Sequence, residues 1–259
     1  MSRLAGLALS AVVAALLLPA VAAPDAARAP VVVELFTSEG CSDCPPADAL
    51  LAELERTQPI AGAQIIPLEE HVDYWDHQGW RDPFSSRTFT TRQESYAERL
   101  RIASPYTPQM VIDGHWEFVG SAAQRAREAI ASAAGSPHTE VKLRLEAAPS
   151  AQVMRLAIQV MPLPEEVREG QEVWFAITED GLASQVNAGE NAGRHLQHAA
   201  VVRRLAAVGH FDPRRDTFEV TGEQKIDAEW KRERLRGVAI VSGARSGRIY
   251  GAASSTLNQ

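Results

Sequence analysis

The sequence predicts an α/β layer over residues 31–135, followed by an all-β, sandwich-like domain over residues 139–259. Three observations predict it. Strand-like and helix-like patterns alternate up to Gly135, which calls for strands joined by crossover helices. Ser136-Pro137 then interrupts the chain. Beyond it come short alternating or apolar runs separated by turn residues, the pattern of packed sheets.

The chain opens MSRLAGLALSAVVAALLLPAVAAP. Arg3 precedes an apolar run from Leu4 to Leu18, and small residues follow at Ala20 to Ala23. This is the pattern of a secretory signal peptide over residues 1–23, cleaved after Ala22 or Ala23. The run is too short and too diluted by Gly6 and Ser10 to read as a bilayer anchor. The expected product is secreted or periplasmic and has no membrane span after signal removal. Residues 24–30, PDAARAP, read as a leader. Formal net charge is −7, which disfavours a nucleic-acid partner, because phosphate binding needs a basic surface. The cluster from Lys231 to Arg236 is interrupted by Glu233 and reads as a solvated face.

VVVELFTS, Val31 to Ser38, reads as a buried strand. Pro45-Pro46 suits the first turn of a helix, and Ala47, Leu50, Leu51 and Leu54 continue it at helical spacing. AQIIPL, Ala63 to Leu68, is a second strand, parallel to the first, with Pro67 placing it at a sheet edge. Ser85 caps a helix through Arg101. QMVIDGHWEFVG is a hairpin around Asp113-Gly114, and AAQRAREAIASAAG is a helix stopped by Gly135.

The chain has two cysteines, Cys41 and Cys44, between the first strand and the first helix. A disulfide between them closes only a four-residue loop and stabilises little by chain entropy. A helix N-terminus favours a thiolate, through its partial positive charge and unpaired N–H groups. Cys41 is thus the expected attacking thiol and Cys44 the resolving one. Asp43 and Glu39 oppose thiolate formation by charge.

Strand–CxxC–helix, followed by Tyr106-Thr107-Pro108-Gln109 before a hairpin, resembles the thioredoxin superfamily. The resemblance covers residues 31–135 and implies a thioredoxin-like domain with a cis peptide before Pro108. It also implies that Thr107 and Pro108 bind the backbone of a partner chain. This sequence departs from ordinary thioredoxins in Leu35, Gly40 and the pair Ser42-Asp43. SEGCSDCPPAD, HVDYWD, GWRDPF, YTPQMVIDG and GENAGRHLQHAAVVR together resemble a family of secreted bacterial proteins, domain of unknown function 1223. That resemblance implies the same fold and no settled substrate.

His71, Asp73, Asp76 and His77 form H-x-D-x-x-D-H after the second strand. The pattern reads as a metal site or as the surroundings of the cysteines; His71, Asp73 and Glu39 are candidates for those surroundings, and His71 or Asp73 could exchange a proton with Cys41. A polar loop packed by Tyr74, Trp75 and Trp80 explains the same residues without function. His195 and His198 would share a face if RHLQH were helical, and otherwise belong to a surface or interdomain segment.

The leading expectation is an exported thiol–disulfide oxidoreductase, with protein thiols or disulfides as partners and no cofactor. A second is Cu(I) binding by Cys41 and Cys44 with His71 or His77, because soft thiolates select Cu(I). A third is a redox-inert module that binds a partner.

Overall fold

APVVVELFT is buried along nearly its whole length and forms β1 (Ala29–Thr37). Its odd residues Val31, Val33 and Leu35 join one core, and Val32 and Phe36 face the opposite side. The computed structural model describes residues 28–148, 152–212, 214 and 217–257. The signal peptide expected over residues 1–23 lies outside the described residues.

α1 (Pro45–Thr57) starts with its prolines at the first two helical positions, where no intrahelical N–H is needed. It leads into β2 (Ala63–His71), parallel to β1 in the register Thr37↔His71. α2 (Arg87–Leu100) is capped by Ser86, whose hydroxyl accepts from the Thr88 N–H, one residue later than the expected cap. β3 (Gln109–Ile112) runs antiparallel to β1 and turns at Asp113-Gly114 into β4 (Trp116–Val119). α3 (Ala123–Ala134) ends at Gly135. α1 and α3 cover one face of β1 and β3 through Leu51, Leu54, Ala126 and Ile130. Phe89 and Tyr96 of α2 cover the other face.

The later strands are β5 (Val141–Ala147), β6 (Val153–Val160), β7 (Gln171–Glu179), β8 (Leu182–Gln185) and β9 (His195–His198). After them come β10 (Val201–Phe211), β11 (Phe218–Lys225), β12 (Leu235–Gly243) and β13 (Ile249–Thr256).

The expected α/β thioredoxin-like domain followed by an all-β sandwich is not the fold. One mixed eight-stranded sheet takes strands from both halves, in the order β13-β12-β7-β10-β2-β1-β3-β4. Thirteen strands and three α-helices make the described chain mostly β. Two physical features explain the difference. First, β7 and β12 are buried on both faces, as central strands are, whereas a sandwich strand alternates. Second, β2 would otherwise leave an unpaired edge, and β10 covers its end: the Glu69 N–H donates to Ala200 O at 3.0 Å, with Val201 opposite Glu69. Pro67 therefore lies inside the sheet order rather than at its edge. Its missing donor falls on the β10 side, two residues before the contact, so no ladder bond is lost.

β11, β6 and β5 form a separate three-stranded sheet. Its Leu145, Leu156 and Ile158 pack on Val173, Phe175 and Val241 of the large sheet. No helix among the described residues is long and apolar enough to cross a membrane.

Candidate functional site

Thr37 ends β1, and a tight turn follows. The Cys41 N–H donates to Ser38 O at 3.1 Å, and the Cys44 N–H to Cys41 O at 3.2 Å. Cys44 is the N-cap of α1, and its carbonyl accepts from Ala47 and Asp48. The two cysteines are joined as a disulfide, with Cα atoms 5.4 Å apart. The pair is oxidised and sits at the helix N-terminus.

Gly40 lets the aromatic loop approach. A Cβ there would lie 3.1 Å from the Trp75 Cβ. The Trp75 indole N–H donates to the Thr107 hydroxyl at 2.8 Å. The Thr107–Pro108 peptide is cis. A Cβ on Gly120 would lie 3.1 Å from both Ala47 Cβ and Pro108 Cβ, so Pro108 lies beside the first turn of α1. Thr107, Pro108 and the disulfide thus share one end of the sheet.

The disulfide is covered. Cys41 is 1% exposed and Cys44 0%. The loop 186–194 between β8 and β9, an antiparallel hairpin, is bonded to the backbone of the turn that carries them. The Asn191 side-chain amide donates to Glu39 O at 2.8 Å and Cys41 O at 2.9 Å. The Ser42 N–H donates to the Glu190 carboxylate at 3.2 Å, and the Ser42 side chain, then this N–H, lower the Glu190 pKa.

Beneath the turn lies a buried polar network. His71 Nδ1 is 2.7 Å from Asp82 Oδ2, which also accepts the Glu39 N–H at 2.8 Å. His71 Nε2 is 3.3 Å from Glu69 Oε1. His198 Nδ1 is 2.6 Å from the same Glu69 oxygen, and His198 Nε2 is 3.2 Å from Glu39 Oε1. The other Glu39 oxygen accepts the Trp80 indole N–H at 2.7 Å. Phe84 lies edge-on to both imidazoles, at 5.3 and 5.5 Å between centroids.

Burial alone would discharge both imidazoles, but the carboxylates outweigh it. His71 is raised well above the usual histidine value by Asp82, and His198 is raised to about 9, chiefly by Glu69. Glu69 and Asp82 are held low against their own burial by the facing histidines. Asp48, in the first turn of α1, takes a 2.7 Å bond from the Thr37 hydroxyl. Burial first, and then the Glu69 charge, raise it to about 7.

Of the expected site residues, Cys41, Cys44, Glu39, His71, Thr107 and Pro108 meet at this edge. Asp73 does not: it accepts the Thr90 hydroxyl at 2.6 Å, at the start of α2. His77 is exposed. Both ring nitrogens of His71 face carboxylates, and the donor group it joins with Glu69 and His198 contains neither cysteine. RHLQH is strand rather than helix, so His195 is exposed and His198 buried on opposite faces. Glu69, Asp82 and Asn191 are candidates that sequence reasoning did not single out, and it read His198 as part of a surface or interdomain segment. The local signals were the E-E-H run closing an apolar strand and the motifs GWRDPF and GENAGRHLQHAAVVR.

A crystal structure of a protein from Agrobacterium tumefaciens is similar to this chain at 22% identity and a TM-score of 0.68. The match covers 90% of this chain and 96% of that one. HBP35 of Porphyromonas gingivalis is similar at 15% identity and a TM-score of 0.65, over 90% of this chain and 77% of that one. At these identities both likenesses concern the fold. No curated protein matches the chain. The family described as protein of unknown function (DUF1223) matches residues 32–242, and the chain belongs to that family.

Proposed function

We propose that this protein performs thiol–disulfide exchange in an oxidising compartment outside the cytoplasm. The observation that carries the reading is the Cys41–Cys44 disulfide at the N-terminus of α1. There the helix dipole stabilises a thiolate once the bond opens. The apolar leader after Arg3 supports export.

In the oxidised form, a partner thiolate attacks Cys41 Sγ. A mixed disulfide forms, and Cys44 leaves as a thiolate. A second partner thiolate then displaces Cys41, and two electrons have passed from partner to protein. In the reverse direction, reduced Cys41 attacks a partner disulfide and expels one partner thiolate. Cys44 then attacks Cys41 Sγ, expels the other and restores the bond. Thr107 and Pro108, beside the first turn of α1, would hold the partner's backbone. Because Cys41 is 1% exposed, exchange requires the turn around it, which the loop 186–194 holds, to open.

Cys44→Ala removes the resolving thiol. The reduced variant should trap a mixed disulfide on Cys41 with an oxidised model peptide. Wild type should equilibrate with glutathione at a measurable potential. If Cys41 exchanges no faster than an unactivated thiol, the reading fails. The burial of both sulfurs supports a second reading, an inert cross-link that shapes a binding surface. A bond that resists reduction in the folded protein would decide for it.

A further inference from the structure

We propose that Glu69, His71 and His198 form a binding site for a zinc-class transition-metal dication. The site is independent of the exchange chemistry assigned to the cysteines. It uses Glu69 Oε1, His71 Nε2 and His198 Nδ1, which all lie within 4.8 Å of one another.

Four features converge. The first is spacing. Tetrahedral zinc, with bonds of about 2.0–2.1 Å, sets neighbouring ligand atoms about 3.3–3.4 Å apart. Glu69 Oε1 is already 3.3 Å from His71 Nε2. The 2.6 Å approach to His198 Nδ1 would open as a metal replaced the shared proton.

The second is an orphan. His71 is wholly buried, and its Nε2 faces Glu69 Oε1 at 3.3 Å without a well-aligned hydrogen bond. A buried polar atom of this kind costs stability unless something binds it. The atom points toward Glu69.

The third is the set of outer partners. His71 Nδ1 faces Asp82 and His198 Nε2 faces Glu39. When each of those nitrogens donates its proton outward, the inward nitrogens present lone pairs to the same centre. The second Glu69 oxygen accepts the Ala199 N–H at 2.8 Å, which fixes that carboxylate. Metal-binding histidines are oriented by carboxylates in this way.

The fourth is charge. Three buried carboxylates, Glu39, Glu69 and Asp82, face two imidazoles. A dication offsets the excess without requiring both rings to hold protons at one carboxylate oxygen. Two imidazoles and one carboxylate suit zinc, cobalt, nickel or copper and not magnesium or calcium, which prefer oxygen. Phe84 closes one side of the pair of rings.

The test uses the full chain after signal removal, disulfide intact, stripped with chelator and titrated with zinc sulfate by calorimetry. One zinc per chain is expected. Cobalt loaded in its place should give the visible absorption of a tetrahedral nitrogen–oxygen site, without thiolate charge transfer. The paired Cys41→Ser and Cys44→Ser variant should bind zinc as wild type does. Asp82→Asn should weaken binding about 10–100-fold, and His71→Gln should abolish stoichiometric uptake. Circular dichroism establishes that each variant is folded. Absence of stoichiometric uptake by folded wild type overturns the site. So does uptake that His71→Gln leaves intact or that the cysteine variant loses.

Discussion

Asn191 reaches across 150 residues of sequence to hold the carbonyl of Cys41, and its amide also holds Glu39. Each such bond contributes roughly 0.5–1.5 kcal/mol to keeping the loop 186–194 closed. Asn191→Ala should therefore shift the loop toward open states. The rate at which dithiothreitol reduces the folded protein's disulfide should rise roughly tenfold, as read by thiol labelling. An unchanged rate would mean that another contact closes the site. At this scale the sequence was readable where the candidate groups are neighbours in the chain. Cys41, Cys44, Thr107 and Pro108 stand beside recognisable strand and helix boundaries. His198 and Asn191 do not, because 129 residues separate His198 from Glu69 and 152 separate Asn191 from Glu39. No spacing rule joins groups that only strand order brings together. Asp73 illustrates the opposite error. Its position beside His71 suggested a shared role, yet its hydroxyl partner is on α2.

At the scale of elements, α1 fixes the turn that carries the cysteines, with Cys44 at its N-cap, because its apolar side packs on β1 and β3. Leu51 is fully buried among Val33, Leu35 and Ile130. Leu51→Ala should cost about 2–5 kcal/mol, through lost burial and the cavity left behind. A urea midpoint that falls with an unchanged slope would establish this, while a loss below about 1 kcal/mol would show that the helix is anchored elsewhere. The periodicity of Leu50, Leu51 and Leu54 made this helix legible, as Asp113-Gly114 did the β3–β4 hairpin. Polar strands were harder to read. β2 continues past Leu68 through Glu69, Glu70 and His71, all buried, where polarity suggested that the strand had ended. β9 alternates exposed and buried residues, but its two histidines stand three apart and mimic helical spacing.

At the scale of the molecule, the two halves share a sheet and are also tied near residues 136–139. The Thr139 N–H donates to Tyr250 O at 2.6 Å, and the Ile249 N–H to Asp113 O at 2.9 Å. Composition marked this stretch as a break, since Ser136-Pro137 says nothing about pairing between distant strands. His138 lies in it. One ring nitrogen is 2.7 Å from Ser136 O, and the other is 3.4 Å from the Asp113 carboxylate. The Asp113 bond raises the His138 pKa, against burial and the Arg248 charge. Burial raises Asp113 as well, although His138 opposes that shift. Both groups therefore hold a proton more firmly folded than unfolded. For His138 the stabilisation is complete below the unfolded histidine value of about 6.5, and it fades as pH rises through the raised folded value. For Asp113, stability likewise falls as pH rises, but across the lower carboxyl range. His138→Gln removes the histidine contribution, together with its lowering of Asp113. Wild type should lose about 0.5–1 kcal/mol more than the variant between about pH 5.5 and pH 8.5. Denaturant midpoints for both proteins at the two pH values measure that difference. Parallel losses would mean that His138 carries the same charge in the folded and unfolded chains.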